Sequence, residues 1–263
     1  MANFDESPNP FSPPSQSSGY ASYTQIEGPD VPIRNVVPVF GDILNYAVKI
    51  WKENLLLVVL GSLIVIGIAI GLAIVNFLID VSLKGGFQNP PNPTSAVFSM
   101  IGSLVANVVQ LFLTIGHVRF NLNLLRGKPA ELGMIFQGGD RFLPTLGFSI
   151  LLGLAVTAGL VLCIVPGFIL LFLFWPGYYL VIDRKTPVFE SFGIAREITK
   201  GNFLNTLLLG LTSFAIIFVG LLALCVGIFV AQPLVLLLGG ASYLMMSGQI
   251  SPTNMQSDNT SEN

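Results

Sequence analysis

A chain of 263 residues with 52% hydrophobic and 10% charged side chains and a mean hydropathy of +0.76 falls outside the composition of a soluble globular protein. A net charge of −2 and a pI near 5.3 exclude the basic surface that nucleic-acid binding needs. Most of the chain must therefore sit in lipid as an all-α protein, because helices satisfy their own backbone polar groups in hydrocarbon.

Residues 1–35 are rich in Pro, Ser and Asn and poor in large apolar side chains, so burial cannot offset the entropy of ordering them, and a disordered cytoplasmic tail is expected. Within it, Asn9-Pro10-Phe11 matches a short ligand of eukaryotic endocytic adaptors, a triplet that recurs by chance in such tails. No apolar core of a cleavable signal occurs here, so the first span is expected to act as an uncleaved anchor. From Phe40 to Glu53, apolar residues including Ile43, Leu44, Ala47 and Trp51 fall on one face at 100° per residue, opposite Asp42, Asn45, Lys49 and Lys52. That pattern predicts an interfacial helix with Trp51 and Lys52 at headgroup level.

The membrane domain is expected over 36–248. Spans need roughly 20 residues each. Charge-free stretches place one at 55–79 and a weaker one, interrupted by Asn107 and Gln110, at 96–116. The loop between them is rich in Pro, Gly and Asn. Phe142–Ile182 lacks charge and is long enough for two spans, 142–163 and 167–182, with the turn assigned to Cys163–Gly167 and its helix-breaking Pro166-Gly167 pair. Asn202–Ser257 also holds two, 203–225 and 230–247, with a turn anywhere from Cys225 to Pro233. Residues 249–263 read as a disordered polar tail.

The fold class is then six transmembrane helices as three hairpins. In that arrangement eleven of the twelve Lys and Arg residues fall on one side, and only Lys84 on the other. Cations stay cytoplasmic in short loops, so both termini are expected in the cytoplasm. Val188–Lys200 repeats the amphipathic pattern of Phe40–Glu53, and Leu132–Arg141 is a shorter, glycine-interrupted version. Either three copies of an amphipathic-helix-plus-hairpin unit are present, or juxtamembrane helices recur simply because the chain enters lipid repeatedly.

Chemistry-bearing residues are few. Asp80 and Asp183 sit at span ends, where water can reach them, rather than at span centres, where ion-coupled transporters hold their charges. His117, beside Arg119, is the single histidine, and Cys163 and Cys225 stand alone in apolar runs, so neither a metal site nor a hydrolase triad is expected, and no cofactor. The small-residue pairs Gly67/Gly71 and Gly102/Ala106 suit close packing inside the bundle or, alternatively, a dimer face. Asn107, Gln110 and Gln232 are assigned to the bundle interior, where hydrogen bonds offset desolvation, or else to the lining of a polar path. Pro176-Gly177 should kink the fourth span; Pro233 is its loose counterpart should the two mark a transporter-type site.

Leu125-Arg126-Gly127-Lys128, the turn Cys163–Gly167, Tyr179 with Asp183, Glu190-Ser191 and Thr199-Lys200-Gly201-Asn202 follow one another in an order that resembles a broad set of uncharacterised bacterial membrane proteins. That set includes the membrane domain of membrane-anchored glycerophosphoryl diester phosphodiesterases. The resemblance covers residues 124–243 and implies a six-helix module of the bacterial cytoplasmic membrane with cytoplasmic amphipathic helices. It implies no activity, and the phosphodiesterase barrel is expected to be absent because the chain ends soon after its last span. The expected function is a non-catalytic module that organises lipids or partner proteins, with the lipid bilayer and other membrane proteins as partners. The alternative is a small uncoupled channel or carrier for a lipid-like or neutral solute.

Overall fold

The computed structural model describes residues 23–25, 33–86, 89–90, 92–223 and 226–252. Expectations for the rest of the two tails, including Asn9-Pro10-Phe11, lie outside the described residues. All helices belong to the compact unit Gln25–Ser251; of the other unit, only Tyr23, Thr24 and Pro252 are described. Two three-residue strands, β1 (Tyr23–Gln25) and β2 (Ile250–Pro252), pair into a small sheet.

Eight α-helices follow one another among the described residues: α1 (Phe40–Glu53), α2 (Leu55–Lys84), α3 (Pro93–Leu125), α4 (Phe142–Leu162), α5 (Ile164–Asp183), α6 (Val188–Thr199), α7 (Phe203–Leu222) and α8 (Val226–Met246). Six helical segments, containing α2, α3, α4, α5, α7 and α8, are long and apolar enough to cross a membrane. They pack in consecutive pairs, α2 on α3, α4 on α5 and α7 on α8, and α8 is central, touching α1, α2, α3, α5 and α7.

Both α2 and α3 run beyond the expected limits of 79 and 96–116. Gly85 ends α2 in the left-handed conformation (φ 75°) that a side chain would disfavour. Asn92 starts α3 with a capping box to Ser95 and with Pro93 in the first turn. The Asn92 amide also donates to Leu83 O at 3.0 Å, fastening the start of α3 to the end of α2.

The break between α4 and α5 is Cys163 alone, in extended conformation (φ −169°), rather than Pro166-Gly167. Pro166 is the third residue of α5, where its missing N–H removes no helical bond. Gly167 serves approach instead of turning: a Cβ on Gly159 would lie 2.9 Å from Gly167 Cα. The α7–α8 pair closes the same way, since a Cβ on Gly227 would lie 2.6 Å from Gly220 O. That turn falls after Leu222, and α8 begins at Val226, so Pro233 lies within the helix rather than in a turn. Pro176 is likewise inside a continuous α5. Near it, where the proline ring loosens the helical ladder, Thr199 Oγ1 donates to Leu173 O at 3.0 Å. Gly177 admits the Phe148 ring, whose Cζ would sit 2.5 Å from a Cβ there.

Residues 132–141 form two 3-10 turns, Leu132–Phe136 and Gly139–Arg141, rather than an amphipathic α-helix. Gly133, Gly138 and Gly139 weaken helix formation, and the segment tucks against α3. Ile135 O comes so near that a Cβ on Gly116 would be 2.1 Å from it. Ile135 joins Val65, Leu113 and Phe120 in a buried cluster. By contrast, Gly67 and Gly71 of α2 face open space, so they make no packing contact within the bundle, while Gly102 abuts the Asn76 side chain.

Candidate functional site: a polar junction and an apolar groove

Asp183 is buried rather than water-exposed. It closes α5, and its side chain, 7% exposed, takes a two-pronged ion pair from Arg126 just past α3, with both N–O distances 2.6 Å. Arg126 Nη2 also donates to Gln249 Oε1 at 2.6 Å, Gln249 Nε2 donates to Ser247 Oγ at 2.8 Å, and Tyr243 OH donates to Asp183 Oδ2 at 3.1 Å. The Tyr243 ring stacks on Tyr179 of α5 at 5.1 Å. Burial alone would lower the Arg126 pKa, but the hydrogen bonds and charge of Asp183 outweigh it and hold the guanidinium above its ordinary value. With both carboxylate oxygens engaged, Asp183 is arranged as a clasp joining the ends of α3, α5 and α8.

A second polar set fastens the extended segment before α1. Asn202 Nδ2 lies within hydrogen-bond reach of Val36 O (2.8 Å), Ile198 O (3.0 Å) and Asn35 Oδ1 (3.0 Å), while Asn205 Nδ2 donates to Pro38 O at 2.8 Å. Asn35 Nδ2 donates to Glu197 O at 2.8 Å. On its other side this segment meets the end of α8, with Arg34 N donating to Ser247 O and Val36 N to Met246 O. The folded unit thus includes Asn35 and Gln249, beyond both boundaries drawn from composition.

The residues singled out for polarity separate. Asn107 is exposed on α3, not interior, and its Nδ2 donates to Ser103 O at 2.8 Å. Gln110 and Gln232 are partly buried, each with an Oε1 that is buried without a partner. His117 is 3% exposed, inside rather than interfacial, with Nε2 3.4 Å from Ser62 Oγ of α2. Pro166, Gly167, Pro176 and Gly177 are packing elements of α5, as described above. Sequence reasoning missed Gln249 and Tyr243 altogether. A signal did exist for the junction, since Arg126, Tyr179, Asp183 and Asn202 all belong to the motifs quoted for the family resemblance.

Along the α7–α8 pair runs an open groove of about 800 Å³. Its walls include Leu211, Ala215, Val219, Val230 and Leu234, with Trp51 of α1. The indole Nε1 of Trp51 is buried without a protein partner.

A bundle of six helices long and apolar enough to cross a membrane is the architecture of a multi-pass integral membrane protein. The chain is similar to uncharacterised proteins of Mycobacterium bovis and Mycobacterium tuberculosis, at 24% identity over 160 residues, which is 59% of this chain and 48% of each relative. It thus spans about half the length of the curated relatives it matches. No protein-family model and no solved structure matches it.

Proposed function

We propose that this protein is a non-catalytic membrane module that organises lipid, holding an acyl chain in the groove along α7 and α8. One observation carries the reading: an open groove of about 800 Å³ with an almost wholly apolar lining fits a hydrocarbon chain. The volume lies in the range of small-ligand sites. Both described ends of the domain come together through Arg34 and Ser247. That supports three membrane hairpins with both termini on one side, and the cation distribution supports the cytoplasm of a bacterial cell as that side. The amphipathic α1 and α6 then lie at the cytoplasmic face.

The test is photo-crosslinking with a diazirine-bearing phospholipid in vesicles, followed by peptide mapping. Labelling should concentrate on α7 and α8. Ala215→Trp or Val219→Trp should reduce it about tenfold by filling the groove, and Trp51→Ala a few-fold by removing part of its wall. Labelling no greater than on other lipid-facing helices would sink the reading. A second reading, an uncoupled carrier for a lipid-like solute, is favoured by the unpaired oxygens of Gln110 and Gln232. It expects the purified protein to move fluorescent lipid between leaflets, and the Gln110→Leu/Gln232→Leu double variant to abolish that movement.

A further inference from the structure

We propose that a second copy of this chain docks on an exposed ridge of α3 formed by Ala96, Met100, Ser103 and Asn107, the two Asn107 amides meeting across a two-fold axis. The spacing of 4, 3 and 4 residues aligns these side chains on one side of a helix. All four are exposed. The ridge borders the contact with α2, where Gly102 abuts the Asn76 side chain and Asn76 Nδ2 donates to Ser103 Oγ at 3.3 Å. One flank of the ridge is large and apolar, with Leu104 59% exposed and Val108 49%, and the other carries Ser99, Ala106 and Gln110.

Lipid covers an apolar flank as well as a helix does, so that flank alone calls for no partner. Asn107 does. It lies about 21 Å along α3 at 1.5 Å per residue, far from either end of the helix. One amide N–H is used on Ser103 O, while the other N–H and Oδ1 have no partner among the described residues. Hydrocarbon offers neither donor nor acceptor, and an amide left unpaired there costs free energy. An amide is also its own complement, since it donates and accepts in one plane, so two Asn107 side chains related by a two-fold axis satisfy each other. Ala96 and Ser103 are small enough for two α3 backbones to approach closely. A lipid tail satisfies none of these polar requirements. The proposal stands independently of the lipid groove, which lies on α7 and α8.

The full chain in liposomes, with Cys163 and Cys225 replaced by Ser, tests it through single cysteines at Ser103, Asn107 and Gly71. Oxidation should link two chains through position 103 or 107 and not through 71, which faces open space on α2. Single-molecule photobleaching across a dilution series should show dimers, and Asn107→Leu should weaken them about three- to twentyfold. Asn107→Gln, which restores the amide, should keep them. A chain that is monomeric at every density overturns the proposal, as do dimers equally strong in Asn107→Leu or cross-linking through 71 instead. Capture of a different protein by position 107 in native membranes, with no self-linkage, overturns it in favour of a hetero-complex.

Discussion

The α4–α5 and α2–α3 pairs are both consecutive apolar helices packed on each other, yet they are held by different means. In α4–α5 the backbones nearly touch at Gly159 and Gly167, and the far end is locked by Asp183 to Arg126. In α2–α3, the buried Val65–Leu113–Phe120–Ile135 cluster lies toward one end, the other end is joined by Asn76 to Ser103 and by Asn92 to Leu83 O, and along much of its length the pair presents exposed apolar side chains. Hydrocarbon supplies no hydrophobic drive between helices, so packing without gaps and polar bonds must supply the cohesion. Where both are present the bundle is self-sufficient, and where they thin out the surface is left for lipid or another protein.

Breaking the clasp should have the largest effect. Arg126→Ala leaves Asp183 buried without its partner, and removing one member of a buried pair costs about 3–5 kcal/mol. Unfolding in mixed micelles with increasing dodecyl sulfate should show a loss on that scale. The double change Arg126→Met/Asp183→Leu should recover most of it, because no orphan charge remains. Recovery would fail if the pair instead contributed through the water-filled surroundings of an exposed site.

The same substitution at two glycines sharpens the comparison. In Gly159→Ala the new methyl falls 2.9 Å from the Gly167 backbone, so the helices must part, at about 1–3 kcal/mol. In Gly67→Ala the methyl meets nothing within 4 Å, and replacing a mid-helix glycine should then be neutral or stabilise by up to about 1 kcal/mol. Equal losses at both positions, in the same micelle titration, would show that α2 packs as tightly as α4.

The membrane character of the chain was legible because hydrocarbon forces long uncharged helical runs, and such runs are countable. What the residues do inside those runs was less so. Pro166-Gly167 has the composition of a turn, but a proline in the first helical turn breaks nothing, and the glycine answers a neighbour eight residues earlier. Asn107 was assigned inward on polarity alone. Three residues on, the Gln110 oxygen is indeed buried, and which of the two turns inward depends on the rotation of α3 against its neighbours, a quantity that a helix hydrophobic on all sides does not encode. The Arg126–Asp183 pair spans 57 residues of sequence. Each charge by itself reads as an ordinary end-of-span residue, and only the meeting of three helix ends makes them partners.

A weaker clasp joins α3 to the turn before α4 and should respond to pH rather than to packing. Arg119 pairs with Asp140 through two bonds of 2.7 and 2.9 Å and also donates to Gln137 O, tying α3 to the turn before α4. The Arg119 hydrogen bond holds the Asp140 carboxyl below its usual range, so the folded state binds that proton less readily than the unfolded chain does. Its contribution is therefore complete above the ordinary carboxylate value, near pH 4, and fades as pH falls through the lower folded value. The Asp140 side chain is 52% exposed, so solvent and salt screen the pair and the effect is the smallest of those expected. Thermal unfolding at pH 7 should place Asp140→Asn slightly below the parent chain. The two curves should converge as the pH falls well below the ordinary carboxylate value, and high salt at pH 7 should bring them together as well. A gap that persists unchanged at low pH would mean that Asp140 acts through its shape and hydrogen bonds rather than its charge.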